Sequence, residues 1–178
     1  MKAEISVRLI RGDKEILNQT FPCRSFTLWF KRFLANFLTG TGIRGFSNRP
    51  VKDITNTDRT MGYQYGVAGN YATHNMAIGD SSADFVWTQY HLEGFKMWAT
   101  GLTRSVDVTD EPPSVIFELT GTFQITESFE VKETGLFGQL TDTVGTVRTF
   151  LVSRDILASP IPVIPGDVLI VRYRFVIS

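Results

Sequence analysis

Three carboxylates spaced three residues apart, Glu127, Glu130 and Glu133, are the side chains in this sequence that most resemble an acid and base set. A glycosidase needs two such groups facing each other across the scissile bond. In a strand, residues three apart point to opposite faces, which argues against a facing pair within this segment. His74 and His91 are the only histidines, and neither has a second His, Cys or carboxylate at metal-ligand spacing. Cys23 is the only cysteine. Flanked by Pro22 and Arg24 beside an apolar segment, it reads as a buried, inert thiol. Ser81 and Ser82 follow Gly79-Asp80 and do not match a nucleophile elbow. Gly40-Thr41-Gly42 and Gly66-Val67-Ala68-Gly69 lack the full spacing of a phosphate-binding loop. No catalytic, cofactor-binding or metal-binding set emerges, so the expectation is a protein that is not an enzyme and takes no cofactor.

The clearest elements lie in the last third. Val115, Phe117, Leu119, Phe123 and Ile125 alternate with Ile116, Glu118, Thr120, Thr122 and Gln124, a period of two that buries one face of a strand. Gly121 reads as a bulge or bend in it. Phe129-Glu130-Val131-Lys132 predicts a short strand, Gly135 a turn, residues 138–145 a surface loop and residues 146–152 another strand. Pro160-Ile161-Pro162-Val163 predicts an extended edge or connection, because proline cannot donate to a ladder. After the turn Pro165-Gly166-Asp167, Leu169, Val171, Tyr173, Phe175 and Ile177 mark a final strand expected at the centre of a sheet. Glu133, Gly135, Arg154, Asp155 and Gly166 are the candidate turn and pairing residues, with Arg154 and Asp155 expected to pair with Glu133 or with a neighbouring chain.

Towards the start, Ala3, Ile5, Val7 and Leu9 alternate with polar residues until Gly12-Asp13, and Glu15-Ile16-Leu17 resumes, which predicts a hairpin. Arg11-Gly12-Asp13 spells an integrin-binding tripeptide, but Gly-Asp at a hairpin tip has its own backbone reason to exist. Phe26, Trp29, Phe30, Phe33, Leu34, Phe37 and Leu38 follow helical spacing, with Ser25 as N-cap and Gly40 and Gly42 at the exit. One amphipathic helix over 25–38, lying across a sheet, is expected. Residues 40–60 read as an exposed loop or arm. Between residues 61 and 100, aromatic side chains sit among glycines, as in loops that contact sugars or partner proteins. Packing of most of these rings into the core is the favoured reading, with Tyr63, Tyr65, Tyr71, Trp87 and Tyr90 the candidate interface or glycan contacts.

A chain of 178 residues, 43% apolar and 20% charged, suits one folded domain without disulfides. Its high aromatic content tilts it towards β structure. Formal net charge is zero, yet residues 1–60 hold eleven Lys or Arg against five Asp or Glu, and the remainder seven against thirteen. The basic residues are scattered without a run, so nucleic-acid binding is not favoured, and the two halves are expected to attract within or between subunits. The start lacks the apolar stretch of a signal peptide, and no segment approaches the ~20 apolar residues that cross a bilayer. A soluble chain without membrane attachment is expected.

Five short segments occur in a telling order. They are Ile78-Gly79-Asp80-Ser81-Ser82-Ala83-Asp84, Gly121-Thr122-Phe123, Val131-Lys132-Glu133-Thr134-Gly135-Leu136-Phe137, Phe150-Leu151-Val152-Ser153-Arg154-Asp155 and Pro165-Gly166-Asp167-Val168-Leu169-Ile170-Val171-Arg172-Tyr173. The series resembles small virion proteins of tailed bacteriophages. The resemblance implies a mainly β, jelly-roll-like antiparallel sandwich that assembles into the virion by protein contacts, after synthesis in the host cytoplasm. Its partners would be other copies of itself and other virion proteins. A capsid-associated decoration or auxiliary role comes first, a tail or neck component second. A carbohydrate-binding module that recognises a host surface glycan is the competing reading, motivated by the aromatic residues.

Overall fold

Alternating side chains bring both ends of the chain into one sheet. The computed structural model describes residues 2–23, 26, 27, 51–59, 61, 62, 76–110, 113–142 and 146–177. Strand β1 (Lys2–Arg11) turns at Gly12 and Asp13 into β2 (Lys14–Pro22), the hairpin expected from the sequence. The last strand, β12 (Val168–Ile177), pairs antiparallel with β1 on one side. On its other side lies β9 (Pro113–Gln124), which is followed by β8 (Gly101–Asp110) at the edge. The order β2-β1-β12-β9-β8 puts the final strand at the centre, as its pattern predicts.

A second antiparallel sheet runs β11-β10-β6-β7, from β11 (Val147–Val163), β10 (Phe129–Asp142), β6 (Met76–Gly79) and β7 (Phe95–Trp98). The two-residue β5 (Met61–Gly62) joins the end of β10, and β3 (Val51–Lys52) with β4 (Asp58–Arg59) forms a separate hairpin. The described chain is therefore mainly β, with two antiparallel sheets.

One apolar cluster draws from both sheets. Ile5, Val7, Leu9, Phe123, Leu169 and Val171 come from the first, and Met76, Ile78, Val131, Leu136, Phe150 and Val152 from the second. Each such burial contributes about 1.5 to 3 kcal/mol. Within this cluster the Tyr173 hydroxyl meets Thr134 Oγ1 at 2.8 Å, joining the sheets by a polar contact. Burial, with Asp155 and Cys23 nearby, pushes the Tyr173 phenol well above its ordinary range.

Several expectations need correction. Among the described residues there is no helix. Of the helix expected over 25–38, Phe26 bridges Ser153 and Thr27 N donates to Val152 O at 2.9 Å, so these two extend along β11. Residues 25 and 28–38 lie outside the described residues. Gly121 does not bend its strand, because the ladders to β12 and β8 run through it without a shift. It marks instead where the sheets approach closely: a Cβ there would lie 2.8 Å from Met76 Sδ and 3.3 Å from Ala99 Cβ. Gly135 is likewise not a turn. Its ladder to β11 continues through Arg154, and a Cβ would lie 2.7 Å from Leu92 Cδ2. The expected short strand and part of the surface loop are one 14-residue strand. Residues 51–59 of the expected arm are ordered around a buried Asp53 rather than exposed throughout. Pro160 to Val163 ends β11 on the sheet edge, as expected.

The Pro165-Gly166-Asp167 turn forms a corner with the first hairpin. Gly166 has φ +91°, a left-handed conformation that favours glycine. Asp167 is buried and accepts two hydrogen bonds from Arg11, each 2.8 Å, and one from Ile164 N at 3.0 Å. The arginine of Arg11-Gly12-Asp13 is thus committed inside its own chain. The hydrogen bond from Arg11 holds the Asp167 carboxyl below its ordinary range, against an opposing push from burial. A carboxylate depressed on folding stabilises the fold above its unfolded value, near 3.9, and loses that contribution as pH falls through the folded one. Arg11→Met is therefore expected to lower stability most at neutral pH, with the gap to the unsubstituted protein closing below about pH 4. Urea midpoints measured from pH 7 to pH 3 check this; a gap that stays constant contradicts it.

Candidate functional site

The second sheet is buried on both faces, and its outer face carries the candidate site. Residues 80–94 connect β6 to β7 without regular structure and lie over that face. Alternation explains the double burial. Met76 and Ile78, Leu136, and Phe150 and Val152 enter the main core, while Ala77, Phe137 and Leu151 turn outward. There they meet Leu92 of the connection in a second small cluster, with Ile54 and Trp98 packed against it. His91 stands edge-on near Trp98 and close to Phe137, with ring centroids at 6.1 and 5.8 Å.

At the centre of this layer is an ion pair between Glu133 and Arg154, both side chains 0% exposed. The pair lies between adjacent strands, with Arg154 Nε donating to Glu133 Oε2. Glu133 Oε1 accepts the backbone N–H of Gly94 at 2.6 Å. Arg154 Nη1 reaches the carbonyl of Asp84 at 3.3 Å and Gln89 Oε1 at 3.2 Å. Gln89 is itself buried, accepts from Val86 N at 3.1 Å and donates to Glu93 at 2.8 Å. Gln89 N returns to Val86 O at 3.0 Å, closing a tight turn. Two buried charges thus grip the connection at residues 84, 89 and 94.

What this grip presents is Val86 and Trp87 at the tip of that turn, 50% and 61% exposed. The ends of the connection are closed by Asp80 N to Gly94 O, 2.9 Å, and by a 2.9 Å ion pair of Lys96 with Asp80. The neighbouring hairpin supports the same face, since Ile54 N donates to Thr149 O at 3.0 Å. Burial pushes the Asp53 carboxyl up, but hydrogen bonds from Thr55, Arg59 and Thr57 outweigh it and leave it below its ordinary range.

The residues singled out from the sequence fall in different places. Glu133 and Arg154 are paired, and Gly135 sits beneath Leu92 beside them. Asp155, one residue along β11, instead accepts from Cys23 Sγ at 3.4 Å. Cys23 is buried, as expected. Gly166 belongs to the separate corner with Arg11. Trp87 is exposed and Tyr90 half-buried. Tyr63, Tyr65 and Tyr71 lie outside the described residues. Gln89 and Gly94 went unrecognised, because neither type signals a partner so distant in sequence.

Both carboxylate oxygens of Glu133 are occupied and the pair is closed to solvent, so its chemistry is that of a lock. Among the described residues no group of His, Cys, Asp and Glu is arranged to hold a metal ion. Among them also, no helix is long and apolar enough to cross a membrane. Comparison with known proteins finds no matching family model, no matching curated protein and no matching solved structure.

Removing one member of a buried ion pair leaves an uncompensated charge, at about 3 to 5 kcal/mol. Arg154→Met and Glu133→Gln are each expected to destabilise the fold, and the double variant by at least ~1 kcal/mol less than the sum. Urea denaturation of all four proteins checks this; additive effects would show that the two side chains act independently.

Proposed function

We propose that this chain is a structural protein that assembles through protein–protein contacts, and that the assembly is a virion. The observation that carries the contact reading is the Val86–Trp87 pair, apolar and exposed on a connection held by the Glu133–Arg154 pair. A large ring held in place before association loses little entropy on binding, which is why tryptophan is enriched where interfaces concentrate their energy. The virion assignment is supported by the ordered motif series, which resembles small virion proteins of tailed bacteriophages. A capsid-associated decoration or auxiliary component is favoured, followed by a tail or neck component. The two sheets fit a sandwich, and a jelly-roll-like arrangement is the finer reading. Its partners are then other copies of itself and other virion proteins, and its destination the virion.

A second reading, recognition of a host surface glycan, draws on the same exposed indole, since a flat ring can stack on a sugar face. Phe95 and Trp98 lean on each other, with centroids 5.2 Å apart, which leaves them less suited to that task.

Mass spectrometry of separated heads and tails is expected to find the chain in heads, and its absence from purified particles would overturn the virion assignment. Trp87→Ser should change stability by no more than about 0.5 kcal/mol, as an exposed substitution. It should weaken incorporation by about 2 kcal/mol, roughly 30-fold. Unimpaired incorporation together with lost binding on a glycan array would favour the glycan reading instead.

A further inference from the structure

We infer that β8 is a pairing edge for a second copy of this chain, joined antiparallel to the β8 of its neighbour about a two-fold axis at Ser105. The inference rests on the assembly reading above and names a surface for it.

Sheet edges expose unpaired backbone groups, and proteins blunt them with short strands, prolines, bulges or covering segments. Among the described residues, three of the four edges of the two large sheets carry such devices. At β11, Phe26 and Thr27 pair with Ser153 and Val152, and Pro160 and Pro162 fall within the strand. Strand β7 has only four residues and a register shift. Strand β2 is shifted against β1 between Leu9 and Ile10 and ends at Pro22. Strand β8 differs. It has ten residues without proline, pairs with β9 without a shift, and among the described residues has no strand on its other side.

Its side chains add a second reason. Leu102 packs against the core, and Val106 and Val108 continue the same face, 63% and 62% exposed. Buried cross-strand neighbours would suit them better than water.

Symmetry then selects the register. A two-fold pairing of identical antiparallel strands places one residue opposite itself, with even-numbered residues facing even and odd facing odd. Centring on Arg104 sets two guanidinium groups opposite each other, and centring on Asp107 sets two carboxylates together, both unfavourable. Centring on Val106 places Leu102 opposite the last residue of the strand. Centring on Ser105 sets Leu102 against the partner's Val108, the Arg104 stem against the partner's Val106, and the Thr103 hydroxyl against the partner's Asp107. It also joins two five-stranded sheets into one continuous sheet.

The test uses the full chain with Ser105→Cys, oxidised mildly and run without reductant, beside sedimentation of the unsubstituted protein and of Val108→Lys. A concentration-dependent dimer, efficiently trapped by the cysteine at 105 and weakened at least ~10-fold by lysine at 108 with an unchanged circular dichroism spectrum, is the expected result. Trapping that is stronger with Val106→Cys overturns the register and so the proposal. A dimer or larger assembly that survives Val108→Lys and is not trapped at 105 overturns β8 pairing while leaving assembly through another surface. A monomer at every concentration that is also absent from particles overturns both readings.

Discussion

Everything on the outer face of the second sheet depends on two charges that water cannot reach. Moving a carboxylate and a guanidinium out of solvent costs several kcal/mol each, which their mutual attraction offsets only with good geometry and further hydrogen bonds. Glu133 and Arg154 gain such hydrogen bonds from Gly94, Gln89 and the carbonyl of Asp84, while Arg154 Nη2 is buried without a hydrogen-bond partner. Those partners all lie on one irregular segment. The pair therefore holds the segment in place, and the segment seals the pair from water.

This reciprocity gives the molecule an asymmetric build. The first sheet buries one face and keeps Arg172, Arg174, Glu4 and Glu118 on the other, where Arg174 bridges to Glu118 and Glu4. The second sheet lies between two apolar clusters. Among the described residues this build leaves apolar side chains exposed at Val86 and Trp87 and at Val106 and Val108 of β8. Rigid support beneath an exposed ring and a long regular edge are both features that favour lasting protein contacts.

Legibility followed periodicity. The first hairpin, β9 and β12 could be read because one of their faces is buried and the other is wet, so a period of two survives in the sequence. The same periodicity divides β10 and β11 into shorter pieces. With both faces buried, Glu133 to Phe137 and Phe150 to Asp155 carry no polar alternation to mark a strand. Gly135 and Gly121 then looked like punctuation, although each is a glycine because another element lies too close for a side chain. The pairing of Arg154 with Glu133 could be named from their motifs as one of two alternatives. Gln89 could not, since a buried amide looks like any surface glutamine until its neighbours are known.

By itself, the sequence determined the class: a mainly β chain with a hairpin at its start, a central last strand and a tight corner at Gly166, because these follow from alternation and turn chemistry between near neighbours. Only the tertiary structure decided which charges are buried, which glycines are contacts and which apolar residues stay in water. Each of those depends on residues far apart in the chain, as Arg154 and Gln89 are, and on which face of a sheet a distant segment covers. Acid and base work was the first possibility raised by Glu133. The fold withdraws that carboxylate from solvent and uses its charge to hold a tryptophan-bearing turn in place.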